Sequence, residues 1–315
     1  MAVQISDGAG TPHATNYSDL LAKLKTFLLA NGWVSVAGTA TEEYLKGTGS
    51  GSDNIFVGIQ KFADAFNDNY AWILQGYTGY VGGAGFNNQP GAIPTNQPAL
   101  PLWNNTIPYW FVASGRRFIV VAKVSTLYMS CYCGYIIPYA VPASQWPYAL
   151  AIGGSTWFSI SAAAPFRYSN ADGRTSLYCI PLNEDGNVGQ LLIRDPAGSW
   201  RRPLNISNNE NTIYDYFDGA GVWPWTNRLQ DQFNFAPSGW DEVEKTLDGN
   251  YTLQQAIIHE EVAARNIYGE LDGVFHVGGR GQSAENIVVR AGVNHLVIQN
   301  IFRTTKQSYA AIKLA

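Results

Sequence analysis

Apolar positions with helical spacing occur clearly once, near the start of the chain. In YSDLLAKLKTFLLAN, Tyr17 to Asn31, the residues Leu20, Leu21, Leu24, Phe27 and Leu28 form one stripe, the pattern of an amphipathic helix. Asn16 is placed to cap its start, with Asp19 three residues on as a weaker relative of the capping box, and Gly32 supplies a left-handed stop. From Trp33 the texture changes. WVSVAG, EEYLKGTGSGS, NIFVGIQKFAD and YAWILQGY are short runs rich in branched and aromatic residues, divided by Gly, Asn, Asp and Ser, which predicts a β-meander packed on the first helix.

Between Gly79 and Leu102 the stretch GYVGGAGFNNQPGAIPTNQPALPL is rich in Pro and Gly and predicts a long irregular excursion, either an ordered arm that packs on a neighbouring subunit, the favoured reading, or a flexible loop. The strongest strands follow in RRFIVVAKVST and LYMSCYCGYII, before PYAVPASQWPYALAIGG, where Pro138, Pro142 and Pro147 forbid a regular ladder. Ser155 to Gly249 is rich in turn signals. Leu253 to Ala264 reads as a second helix or a buried strand, and from Leu271 DGVFHVGG, NIVVRAG, HLVIQNIF and YAAIKLA return to β texture. No fixed-period repeat is visible. The expected fold is α+β and β-dominated, with an N-terminal helix packed on an antiparallel sheet that continues into a larger, sandwich-like β-rich body. Three regions are expected within one structural unit: 1–102 with an arm over 79–101, then 103–250 and 251–315.

Candidate chemistry begins with GVFHVGGRGQSAEN, Gly273 to Asn286, which has the glycines, serine and carboxylate of a phosphate-binding loop. Strand character on both sides, no lysine before Ser283, and glycines at 278, 279 and 281 that do not make GxGxxG exclude that motif. A hairpin or β-turn using glycine at positive φ accounts for the residues. His259 opens HEEVAAR, but Ala263 stands where a zincin helix needs its second histidine. His13, His276 and His295 are spread along the chain, so no metal site is expected. Asp215, Asp218, Asp241, Glu242 and Glu244 lie among aromatics, as the carboxylates of a glycoside hydrolase do, yet acids near turns are usually a solvated loop. No nucleophile motif is present. The expectation is a non-enzyme without catalytic residues or cofactors.

Composition narrows the partners. Twenty Lys and Arg stand against twenty-four Asp and Glu, net charge −4, with no long basic run, which argues against nucleic acid. No apolar run approaches the length of about 18 residues that a membrane span needs, and the first residues lack a signal-peptide pattern; a chain made in a cytosol and not inserted in a membrane is expected. Cys131 and Cys133 read as same-face residues of one strand and, with Cys179, as structural thiols. Only 14% of residues are charged while 13% are aromatic, ten of them Trp, a balance suited to a surface that meets other proteins or sugars.

NYSDLLAKLKTFLLANGW, KGTGSGSDNIFVGIQKFAD with YAWILQGYTGY, LPLWNNTIPYWFVASGRRFIVVAKVST, and YGELDGVFHVGGRGQ with HLVIQNIFRTTKQSYAAIKLA resemble structural proteins of tailed bacteriophage virions over most of the chain. IPYWFVASGRRFIVVAKVST is the most specific block. The resemblance implies a particle component of the tail, baseplate or collar, whose partners are copies of itself and other virion proteins, and carries no catalytic residues. Trp103, Tyr109, Trp110, Trp146, Trp223 and Trp225 are the candidate contact residues, because such interfaces are anchored by aromatics; most of the six are expected in the core, with one or two exposed in the isolated subunit and covered in the particle. The alternative is a receptor- or carbohydrate-binding tail protein that touches a host surface receptor or glycan; a lesser one is a polysaccharide depolymerase.

Overall fold

The structure, a computed structural model, describes residues 1–8, 10–49, 53–95, 97–139, 144–157, 191–201, 221–223, 245–247, 249–259, 267–299 and 309–314. β1 (Ala2–Ile5) precedes α1 (Tyr17–Leu29), and β2 (Trp33–Gly38), β3 (Glu42–Gly47), β4 (Ile55–Asp64), β5 (Asn69–Tyr77) and β6 (Pro98–Leu102) follow. The middle of the chain supplies β7 (Tyr109–Ser114), β8 (Arg117–Val124), β9 (Leu127–Tyr135), β10 (Ile137–Pro138), β11 (Leu150–Gly153), β12 (Thr156–Trp157), β13 (Leu191–Arg194), β14 (Trp200–Arg201) and β15 (Gly221–Trp223). Last come β16 (Leu253–His259), β17 (Ile267–Val277), β18 (Ile287–Arg290), β19 (Val293–Gln299) and β20 (Tyr309–Lys313). The fold is β-dominated, with one helix and three antiparallel sheets among the described residues.

The helix ends are written locally. Asn16 is extended and its side-chain oxygen accepts from the amides of Ser18 and Asp19, both at 2.9 Å, satisfying two donors that the first helical turn leaves open. Asp19 reaches back to the amide of Thr15 at 2.8 Å. Gly32 follows the helix with φ +83°, where a side chain would be strained and would press on the backbone of Gly115.

The N-terminal sheet runs β12-β6-β5-β4-β3-β2 and the central sheet β1-β7-β8-β9-β11-β13-β14. Along β7, Tyr109, Phe111 and Ala113 join the core that contains the buried helix leucines and Leu45, Val57 and Trp72, whereas Trp110 and Val112 join a second core with Leu271, Val274, Leu296 and Ile312. The central sheet is thus buried on both faces, so its strands read as unbroken apolar runs without alternation. Cys131 and Cys133 face the first core together, and burial pushes the Cys133 thiol up, as an inert structural thiol requires.

The C-terminal sheet runs β15-β16-β17-β20-β19-β18, with β10 beside β17. Leu253–His259 is therefore strand, and the helical option for that segment is excluded where it is described. β17, β20, β19 and β18 form a Greek key, since the chain leaves β17, passes two strand positions and returns as a meander. The glycine-rich connection after β17 is consequently not a hairpin. It is a crossing built from β-turns: the Gln282 amide donates to the Gly279 carbonyl at 3.0 Å, with Gly281 at φ +73°.

Pro98–Leu102, expected inside the Pro/Gly-rich arm, is strand β6 with all five residues buried. It pairs β5 on one side and the two-residue β12 on the other, a short partner that leaves room for its prolines. The irregular segment before it is held against its own chain by two buried glutamines that imitate backbone. Gln75 accepts from the Ile93 amide at 2.7 Å and donates to its carbonyl at 3.0 Å, and Gln89 accepts from Val81 and donates to Ala84, both at 2.8 Å. Phe86 is buried against Tyr77 and Tyr44.

Candidate binding cleft

A cleft of about 870 Å³ opens on the C-terminal sheet between two tight turns; its lining includes Lys245, Thr246, Leu247, Asn250, Val289 and Arg290. One wall is a hairpin loop. Lys245 and Tyr251 form an isolated bridge, the Thr246 amide donates to the Asn250 carbonyl at 2.8 Å, and Gly249 takes φ +83°. The opposite wall is the two-residue turn joining β18 and β19, where Ala291 (φ +49°) and Gly292 (φ +78°) are both left-handed, the backbone of a type I′ turn. Glycine suits that turn and Ala291 is strained in it.

The glycine-rich stretch positions the first wall. The Tyr251 hydroxyl donates to the Arg280 carbonyl at 2.7 Å, and a Cβ on Gly281 would lie 3.1 Å from that hydroxyl, so the tyrosine seats against a turn that only glycine leaves open. Lys245 lies 4.6 Å over the Tyr251 ring, a cation–π contact that holds its ammonium at the cleft. Five residues after Arg280, Glu285 has φ +73° and accepts from Lys123 at 2.5 Å and from Tyr128 at 2.6 Å. Those two residues belong to β8 and β9, so the connection is tied to the central sheet. Burial works to raise the Glu285 carboxyl, but the donors from Lys123 and Tyr128 outweigh it and hold the group below its ordinary value.

Leu247 is fully exposed and Val289 is 54% exposed. The charged side chains among the described lining residues are Lys245 and Arg290. The arrangement suits an apolar group flanked by carboxylates: the aliphatic side chains supply contact area and the two cations supply direction. A second feature of note is a small, mostly buried aromatic cluster on the N-terminal sheet. There Tyr44, Tyr77, Tyr80 and Phe86 pack ring on ring, and Glu42 accepts from Tyr44 at 2.7 Å and Gln60 at 2.8 Å.

The candidate contact aromatics fall elsewhere. Tyr109, Trp110 and Trp146 are buried within the chain, in the core where most of the six candidates were expected; the apolar strands on either side draw them in. Trp103 is partly buried at the edge of the first core, its indole N–H on the Thr106 carbonyl at 3.2 Å. The side chain of Trp223, and Trp225 altogether, lie outside the described residues, as do Asp215, Asp218, Asp241, Glu242, Glu244 and Cys179. His276 is half-buried in β17. His295 is buried in β19, its ring edge-on to Phe275 at 5.3 Å, and burial lowers its pKa. Among the described residues no three His, Cys, Asp or Glu side chains gather to hold a metal, and no helix is long and apolar enough to cross a membrane.

The cleft was not legible in the sequence, because its walls come from segments some forty residues apart; the signals that were present were turn residues, the DG of Asp248-Gly249 and the AG of Ala291-Gly292. The chain matches no protein-family model and no curated protein.

Proposed function

We propose that the protein is a non-enzymatic structural component of a tailed-phage particle, in its tail, baseplate or collar, that assembles through protein–protein contacts. The observation that carries this reading is the cleft, where Leu247 and Val289 stand in solvent beside Lys245 and Arg290. Exposed apolar side chains rimmed by charge gain from being covered by a partner surface. The resemblance of the IPYWFVASGRRFIVVAKVST block to virion proteins supports the particle. We read the three sheets as a sandwich-like body on which the helix is laid, supported by the two cores shared across the central sheet; such a body suits a part that must hold its shape while neighbours pull on it.

A second reading, a receptor- or carbohydrate-binding tail protein, is favoured by half-buried Tyr80, whose ring meets buried Tyr44, with half-buried Glu42 and Gln60 offering polar groups of the kind that sugar hydroxyls need. Immunogold electron microscopy of purified particles separates the readings. Label at the tail, baseplate or collar, with no binding of host-surface polysaccharide, is the expected result. Particles that carry no label sink the structural reading. Polysaccharide turnover lost on Asp215→Asn or Asp241→Asn replaces it with a depolymerase.

A further inference from the structure

Phe66 is 96% exposed at the tip of the β4–β5 hairpin; only Leu247 exceeds it among the exposed large apolar side chains of the described residues. The tip is built to present it. Asp64 accepts from the Asn67 amide at 3.2 Å and from its side-chain amide at 2.7 Å, and Asp68 turns the chain at φ +54°. A preorganised turn loses little freedom on docking. The tip carries one apolar ring with the carboxylates of Asp64 and Asp68 two residues to either side in sequence, and among its described lining residues the cleft offers the exposed aliphatics Leu247 and Val289 with the cations Lys245 and Arg290.

We propose that the hairpin tip of one copy docks in the cleft of the next, Phe66 against Leu247 and Val289, with Asp64 and Asp68 facing Lys245 and Arg290. The cleft volume of about 870 Å³ accommodates a β-turn with its aromatic side chain. Tip and cleft belong to different sheets, so the contact is heterologous: each copy gives a tip and receives one. Repeated, it closes into a ring when the rotation between copies divides a full turn, and otherwise runs on as a filament. The inference rests on the assembly reading above and names the partner that reading leaves open.

The test is complementation between two defective variants. Phe66→Ala keeps an intact cleft; the double variant Lys245→Glu, Arg290→Glu keeps an intact tip. All three positions with substituted side chains are exposed, so both variants are expected to fold, which circular dichroism checks. In analytical ultracentrifugation up to about 1 mM, the wild type should form species larger than a dimer, and each variant alone should stay monomeric. Their mixture should form a 1:1 dimer and stop there, because one tip meets one cleft and no further pair remains. If the wild type associates and either variant alone associates equally well, the docking proposal is overturned while the assembly reading stands. A wild type that is monomeric throughout also overturns it; should Phe66→Ala then fail to enter particles, the tip's partner is another virion protein. Absence of the wild-type chain from purified particles removes the assembly reading itself.

Discussion

Arg117 shows what one residue type hides in a sequence. Its neighbour Arg116 stands in solvent beside Asp53, while Arg117 is fully buried where the central and C-terminal sheets meet. Its Nε donates to Asp272 at 3.0 Å, and Nη1 has no hydrogen-bond partner. Gly273 follows Asp272 at φ +78°, and a Cβ there would lie 2.6 Å from the guanidinium, so glycine makes the approach possible. Asp272 is 28% exposed and can be hydrated if its partner is lost; the guanidinium cannot. The two halves of the pair should therefore respond unequally. Asp272→Asn leaves a buried charge without its counter-ion and is expected to cost about 3–5 kcal/mol, whereas Arg117→Met should cost clearly less. Urea unfolding of both variants reads the difference, and equal losses would show that the charge is not what matters there. Nothing in the pair Arg116-Arg117 tells which of the two is buried, because that depends on a carboxylate 155 residues away in sequence.

Elements whose ends are encoded by their own neighbours behave differently. The cap of α1 was readable residue by residue, since Asn16, Asp19 and Gly32 act within one turn of the chain. Asn16→Ala removes the acceptor for two amides and should cost about 1 kcal/mol, seen as a lower thermal midpoint. The β18–β19 turn is the opposite case: Ala291 holds a left-handed conformation that glycine adopts freely. Ala291→Gly relieves the left-handed strain and is expected to stabilise by a few tenths of a kcal/mol to about 1 kcal/mol, net of the greater freedom of the unfolded chain; a midpoint that falls would show that this freedom outweighs the strain. The turn identity of GGRGQSAEN was legible from its failure to be a phosphate loop. Its role as the seat of Tyr251 was not, because that partner comes from the loop before β16.

At the scale of the molecule, Glu285 links the C-terminal sheet's crossing loop to β8 and β9 through Lys123 and Tyr128. With its folded pKa held down, the carboxylate contributes stability above its unfolded value, about pH 4.3, and loses that contribution as pH falls through the lower folded value. Glu285→Gln should thus be less stable than wild type near pH 7 and approach it below about pH 4, read as urea midpoints at both pH values. Parallel pH curves would mean that the link carries no stability. The assembly prediction belongs to this scale as well, since tip and cleft are far apart in sequence and only copies of the whole fold bring them together.

What the chain alone determined were properties that a few adjacent residues decide: the helix and its caps, the β texture, the same-face cysteines, the turn at Gly279–Gln282. Propensity, capping and φ preference act over one to four residues, so they can be read in order. Tertiary structure decided the rest. Tyr109, Trp110 and Trp146 became core because apolar residues of other sheets packed on both faces of theirs, Pro98–Leu102 became a buried strand because β5 and β12 lay beside it, and Lys245, Leu247, Val289 and Arg290 became one cleft because the C-terminal fold brought the loop before β16 to the β18–β19 turn. Burial and site geometry are sums over contacts between distant segments, and no single segment carries that sum.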